Sequence, residues 1–478
     1  MRRKMNFILP FLLLASCLSF AQNGHKIEVR IGDFAEKELM LGYYLLDKQY
    51  ILDTASINDS GAFIFKGDKE LPGGLYIVVM PPENRFFQIL ISPGEQHFSL
   101  NVPSAANPVQ DITIKGSPDN KRFYEYINTL AAKRPEAEQL RQKIDATADK
   151  EEKAILQKQL DELNEWVTSY QKDLIKKYPK SMTAAIVHAN LPMDMPEFEG
   201  SPEEVQLKQW QYSKEHYFDN IDLADPRMLR TPFLFQRAEF YIDKVTVPHP
   251  DSISRSLDYL LERFRPAEET FKHYLVHFLN FYARSKIVGM DAVYVHLADK
   301  YYATGQADWV EQEQLDKIVE NANSLRPILI GKIAPDITMV DKRDSIHTLH
   351  GIQSPYTVLF IWDPDCGHCK KTMPEMLQFY RDFKDRGVEM MAVCGKFYND
   401  LDKCWEFIES KDMNIWLNVV DPYHRSKYKT LYDVKTTPQI FILDEKKEII
   451  SKRIGVEQLP EVMERIMEIR SRNNEKGS

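Results

Sequence analysis

The chain has 478 residues, 43% of them hydrophobic and 28% charged, with a net charge of -9. That length is too great for one hydrophobic core and predicts about two to four domains of ordinary globular composition. The acidic excess argues against a nucleic-acid partner.

Arg2, Arg3 and Lys4 precede an apolar run over 7–15, and Ser19-Phe20-Ala21 then places small residues at the two positions that a signal peptidase inspects. An export signal over 1–21, cut before Gln22, is the expectation, because the apolar core is too short to stay as a membrane-spanning helix. Cleavage removes three basic groups and no acid, so the charge of -9 becomes -12. Leu14-Ala15-Ser16-Cys17 also resembles a bacterial lipobox, which would anchor the chain to the envelope through a lipid on Cys17. The apolar residues after Cys17 are a poor polar tether, so the balance falls on a soluble periplasmic chain. Either address exposes the protein to an oxidising compartment.

Residues 22–102 carry short alternating or apolar runs, such as Ile27 to Ile31, Leu39 to Leu46, Phe63 to Phe65, Tyr76 to Met80 and Phe86 to Ile91. Turn signals such as Asn58-Asp59-Ser60-Gly61 and Pro81-Pro82 separate them, and this punctuation predicts an antiparallel β-sandwich whose aromatic residues fill a core. Residues 103–119, with Pro103, Pro108, Gly116 and Pro118, read as a linker. A helical domain is expected over 120–326. Within it, Lys133 to Lys177 is rich in strong helix formers and suits one long helix or a hairpin. Four more helices are expected over 253–264, 268–288, 290–302 and 310–325. His273 and His277 share a helical face, yet no carboxylate accompanies them as in a zinc protease motif, so no metal is expected.

The chemistry concentrates in Trp362-Asp363-Pro364-Asp365-Cys366-Gly367-His368-Cys369, which follows the apolar run Tyr356 to Ile361. A buried strand that stops at a turn and then opens a helix puts Cys366 beside unpaired N–H groups and the positive end of the helix dipole, which favour a thiolate. Cys366 is the expected nucleophile, and Cys369, one turn deeper on the same face, the resolving thiol. Protonated His368 would lower the Cys366 pKa further, whereas Asp363 and Asp365 would raise it. A structural zinc half-site would want a second cysteine or histidine pair at ligand spacing, and the only other thiols nearby are Cys394 and Cys404. For that second pair two readings stay open, a disulfide or auxiliary redox pair and two small buried apolar side chains. Their spacing does not turn the side chains toward each other, and the balance falls slightly on the second.

Residues 331–472 resemble a thioredoxin-fold domain of the TlpA/ResA-like periplasmic class, entered by Gly331-Lys332-Ile333-Ala334-Pro335-Asp336, a segment similar to one shared with peroxiredoxins. The Cys-Gly-His-Cys pair resembles that of protein disulfide isomerases. The resemblance implies an α/β thioredoxin fold, a cis proline at Pro438 after Thr437 facing the cysteines, a strand edge at Thr437 that pairs with an incoming peptide, and Trp362 packed beneath the docking site. X-Pro is the one bond where cis is cheap enough for such use. The chain departs from thioredoxin at Phe360 and Asp365, where thioredoxin has a buried aspartate and a tryptophan, so the proton acceptor for Cys369 is unidentified. The β and helical regions resemble those that precede thioredoxin modules in exported Bacteroidetes proteins.

The expected whole is a multidomain protein with an N-terminal all-β sandwich, a central all-α region and a C-terminal thioredoxin fold, acting as an exported thiol:disulfide oxidoreductase without a cofactor. Its partners would be protein thiols and disulfides and a membrane-linked electron donor or acceptor, with a homodimer allowed. The alternative is a peptide- or glycan-binding envelope protein that uses the thioredoxin domain as a scaffold. A peroxidase would want a threonine three residues before the attacking cysteine, where this chain has Asp363.

Overall fold

A computed structural model describes residues 24–477, with side chains to 472. The export signal and Cys17 lie outside the described residues. The chain divides into two compact units, 1–241 and 242–478.

The first unit opens with β1 (His25–Ile31), β2 (Glu38–Leu45), β3 (Lys48–Ser56), β4 (Phe63–Gly67), β5 (Gly74–Met80), β6 (Arg85–Ile91), β7 (His97–Val102) and β8 (Thr113–Lys115). They form two four-stranded sheets, ordered β4-β1-β7-β8 and β3-β2-β5-β6. Side chains alternate across a pleated strand, so Ile27 and Val29 point inward while Lys26, Glu28 and Arg30 point out. Ile27, Val29, Phe65 and Leu100 of one sheet pack on Leu41, Val78 and Ile89 of the other, and this apolar layer holds the sandwich together. The sandwich is not wholly antiparallel, because β1 and β7 run parallel.

The stretch 103–119 is not a free linker. It holds β8, which pairs with β7, and Ser117 caps the helix Pro118–Ala146 by accepting the Asn120 N–H. Asn120 is fully buried and exchanges two hydrogen bonds with the Leu90 backbone, at 2.7 Å each. The prolines and glycine that looked like breakers are thus the entry to a helix docked on the sheet: Pro118 at its first turn needs no N–H partner. Thr147 to Asp149 then turn the chain into the helix Lys150–Lys177, whose N–H groups Asp149 caps, and the expected hairpin forms.

The helices expected over 120–326 fall in both units, the later ones, Pro250–Phe264, Glu268–Ala283, Asp291–Leu297 and Gln312–Leu325, in the second. The physical reason is burial shared with the C-terminal sheet. Ile328 sits in that sheet's core with Leu359, Ile361 and Phe441. The Lys452 ammonium, 2% exposed, pairs with Asp291 and donates to the Ile328 carbonyl at 2.7 Å.

The C-terminal sheet has seven strands, β9 (Thr338–Val340), β10 (Ile346–Thr348), β11 (Tyr356–Trp362), β12 (Val388–Cys394), β13 (Leu417–Val420), β14 (Gln439–Asp444) and β15 (Ile449–Lys452), in the order β10-β9-β13-β12-β11-β14-β15. β11, β12 and β13 run parallel, and β14 and β15 continue the sheet antiparallel. Every residue of β11 is buried, as an unbroken apolar run requires when both faces are covered. Val358, Phe360 and Trp362 face one layer with the helix Gly367–Phe383, the helix Leu401–Ser410 and the start of the closing helix Leu459–Gly477. Leu359 and Ile361 face the other layer with Tyr428 and Tyr432. The helix Leu401–Ser410 follows a single 3-10 turn over Tyr398–Asp400.

Candidate active site

β11 delivers the chain to a turn in which the Cys366 N–H donates to the Asp363 carbonyl at 3.2 Å, and the helix Gly367–Phe383 starts at once. Cys366 is the residue that caps it, with extended φ and ψ of -72° and 116°. Its sulfur accepts the Cys369 N–H at 3.3 Å and lies 3.3 Å from the Thr437 carbonyl, to which the thiol donates. Both Cys366 and Cys369 are free thiols, the first half-buried and the second fully buried. The expected asymmetry between an accessible sulfur and one a turn below it is therefore present.

Electrostatics sharpen that asymmetry. Burial works against ionising Cys366, but hydrogen bonds from the Cys369 thiol and N–H, the Thr437 side chain and the His368 N–H outweigh it, and the Cys366 thiol is held below its ordinary value. Burial, joined by the hydrogen bond to Cys366, pushes the Cys369 thiol up to about 12. His368 thus acts on Cys366 through its backbone N–H. Alkylation by iodoacetamide, mapped by peptide mass spectrometry at successive pH values, should modify Cys366 with a midpoint below that of an unperturbed thiol. Reactivity rises with pH through that midpoint because the thiolate attacks. Cys369 should stay unmodified up to pH 10, since its value lies near 12. Equal labelling of both sulfurs would contradict the geometry.

Asp363 and Asp365 do not face Cys366 as uncompensated charges. Lys396 reaches both, at 2.9 Å and 2.7 Å, and holds the Asp365 carboxyl below its usual range. Lys396 is a site residue that the sequence reading missed. The signal available was register: β12 runs parallel to β11 with Cys394 beside Trp362, so the residues just after Cys394 come alongside Asp363 and its neighbours.

The bond between Thr437 and Pro438 is cis, as expected. Trp362 is fully buried, with its ring 5.2 Å from that of Phe407, so it underlies the site and offers no surface to a docked chain. Cys394 and Cys404 form a disulfide with Cα atoms 6.2 Å apart. The slight balance toward two free buried thiols is overturned because the helix Leu401–Ser410 packs on the end of β12 and turns Cys404 inward, a tertiary contact that spacing alone does not contain. The bond closes a short loop of sequence separation 10, for which about 2–4 kcal/mol of stabilisation is typical. Replacing Cys394 and Cys404 together by alanine should lower stability by about that amount in a urea titration. Thiol counting on denatured, unreduced protein should find neither of these two sulfurs reactive.

A fold with a strand feeding a Cys-x-x-Cys helix opposite a cis proline defines the C-terminal domain as a thioredoxin-like thiol:disulfide oxidoreductase domain. Comparison with known families agrees: residues 330–452 match the AhpC/TSA family. Residues 25–123 and 137–324 match two domains of unknown function, DUF4369 and DUF5106. The chain is similar to the thiol-disulfide oxidoreductase ResA of Bacillus cereus, 27% identical over 135 residues that cover 28% of this chain and 75% of that protein. It is also similar to a solved domain of a possible thiol-disulfide isomerase from Cytophaga hutchinsonii, with 32% identity, 32% of this chain and 99% of that one covered, and a TM-score of 0.28. A thioredoxin-like protein from Bacteroides caccae matches 57% of this chain and 96% of its own, at 20% identity and a TM-score of 0.44.

Proposed function

We propose that the protein is an exported enzyme that exchanges disulfides with protein substrates through Cys366 and Cys369. The observation that carries this reading is the placement of the Cys366 sulfur, half-exposed at a helix N-terminus, with the buried Cys369 N–H and the Thr437 carbonyl both 3.3 Å away. The Cys366 thiolate attacks one sulfur of a substrate disulfide; that S–S bond breaks, a mixed disulfide forms, and the departing thiolate takes a proton. Cys369 then loses its proton and attacks the Cys366 sulfur, which releases the substrate as a dithiol. The substrate gains two electrons and the enzyme keeps a Cys366–Cys369 disulfide, so turnover needs a dithiol donor; the reverse sequence oxidises a substrate.

Periplasmic export follows from the basic, apolar and small-residue order of the first 21 residues. In an oxidising compartment a reduced pair needs its own electron source, which makes a membrane-linked dithiol carrier the fitting partner. The test is insulin reduction by the full chain with a dithiol donor. Precipitation of the insulin B chain well ahead of the donor-only control is the expected result, and a time course identical to that control would overturn the reading.

A further inference from the structure

We infer that Tyr398 and Tyr423, on the rim of the active-site edge, form a docking platform for an aromatic side chain flanked by acidic residues in the polypeptide whose disulfide Cys366 attacks. This deepens the disulfide-exchange reading and rests on it.

Topology puts the platform there. β11, β12 and β13 run parallel, and Cys394 pairs with Trp362 on one side and Val420 on the other. The loops after Cys394 and Val420 therefore leave the sheet at the edge where Cys366 opens its helix. Lys396 in the first loop grips Asp365, the neighbour of Cys366, at 2.7 Å. Two residues on, the Tyr398 N–H donates to the Pro422 carbonyl of the second loop at 3.2 Å, and the Tyr398 and Tyr423 rings stack with centroids 5.4 Å apart.

The rings are held out in water: Tyr398 is 64% exposed and Tyr423 57%. The loop that carries Tyr423 is fixed from beneath. The buried Asp421 carboxylate accepts the Arg425 and Ser426 N–H groups at 3.0 and 2.9 Å and the Ser426 hydroxyl at 2.6 Å. A pre-ordered loop loses little freedom when a partner covers it, and tyrosine and arginine are the residues on which binding energy concentrates at protein interfaces.

The charges name the partner. Lys396 and Lys403 are engaged by Asp363, Asp365 and Asp400. Arg425, whose guanidinium lies 5.1 Å from the Tyr423 ring centre, and Lys429, 4.2 Å from that of Phe397, have no carboxylate partner among the described residues. Two uncompensated cations beside two exposed rings, on a chain of net charge -9, favour an acidic segment with an aromatic residue and disfavour a basic one. The occupant is the extended polypeptide that carries the disulfide, because one end of this surface is the neighbour of Cys366 itself. Four residues of extended chain span roughly 13 Å, enough to bring a side chain from the sulfur to the rim.

The test uses the full chain in its reduced form and peptides with one central cysteine capped as a mixed disulfide with thionitrobenzoate. Four residues to either side of the cysteine the peptides carry Asp-Phe-Asp, Ser-Ser-Ser or Lys-Phe-Lys. The Cys366 thiolate attacks the peptide sulfur, that S–S bond breaks, and thionitrobenzoate leaves and is read by absorbance; Cys369 then displaces the peptide as a thiol. Each second-order rate constant is divided by that of the same peptide with dithiothreitol, which removes differences in intrinsic reactivity. The normalised value should be about tenfold higher for Asp-Phe-Asp than for Ser-Ser-Ser, with Lys-Phe-Lys no faster than Ser-Ser-Ser. Tyr398→Ser/Tyr423→Ser should bring the first ratio to about one, and a ratio does not depend on how much of the variant folds. Arg425→Glu/Lys429→Glu should reverse the order so that Lys-Phe-Lys outpaces Asp-Phe-Asp, which a merely structural role of the two cations would not produce. Equal normalised rates in the unaltered protein, or an Asp-Phe-Asp advantage that survives in the tyrosine variant, would overturn the inference and leave the exchange reading standing. Failure of the reduced protein to release thionitrobenzoate from any peptide would sink both.

Discussion

Cys366→Ser is expected to reduce insulin reduction to the donor-only background, a loss of roughly three or more orders of magnitude, because no other sulfur at the site can form the first bond. Cys369 cannot replace it: the side chain is fully buried and its thiol is pushed up to about 12, so almost none is ionised near neutral pH. Cys369→Ser should fail differently. The first attack still occurs, the mixed disulfide is not resolved, and covalent substrate adducts accumulate on Cys366 on non-reducing gels. Adducts that form readily on Cys366→Ser and not on Cys369→Ser would reverse the two roles.

Asp291→Ala should cost about 3–5 kcal/mol of stability, measured as a lower urea midpoint. The Lys452 ammonium is 2% exposed, and without Asp291 it keeps the Ile328 carbonyl as its hydrogen-bond partner. Burial already holds the Lys452 pKa below its ordinary value, and losing the carboxylate lowers it further. The sign of the pH effect follows. Between the depressed folded value and the unfolded value of about 10.4 the unfolded state binds more protons, so stability rises with pH across that window, and the deficit narrows as pH rises through the variant's lower folded value. The double variant Asp291→Ala/Lys452→Met should recover most of the loss, since an unpaired buried charge is what costs. A midpoint unchanged at pH 7 would show that the pair does not fasten the helices to the sheet.

The local geometry around Cys366 and Cys369 was legible in the sequence almost completely. An apolar run from Tyr356, a turn, and two cysteines at the start of a helical pattern are local signals, and local signals survive folding. The sandwich core was legible through the alternating pattern of runs such as Ile27 to Ile31, and the thioredoxin fold through the resemblance carried by Gly331 to Asp336, the Cys-Gly-His-Cys pair and Thr437-Pro438. β3 was not legible, because its residues Tyr50, Ile51 and Leu52 are exposed and alternate with nothing. The entry to the first long helix was misread as a linker, since Gly116 and Pro118 mark a break and a helix start equally well. Lys396, the Cys394–Cys404 bond and the transfer of the later helices to the second unit depend on pairings between distant segments. No window along the chain contains them.

The measurement that bears most directly on disulfide exchange through Cys366 and Cys369 is a redox titration of the full chain in dithiol–disulfide buffers, with the thiols alkylated at each potential and located by mass spectrometry. Cys366 and Cys369 should appear together as one two-electron couple, with a tenfold change in their ratio for about every 30 mV. Cys394 and Cys404 should stay bonded across that range. A midpoint near the about -270 mV of thioredoxin would define a reductant, and one near the about -120 mV of the strongest oxidants a disulfide donor. Cys366 and Cys369 remaining free thiols at every potential, or titrating independently of each other, would contradict the account.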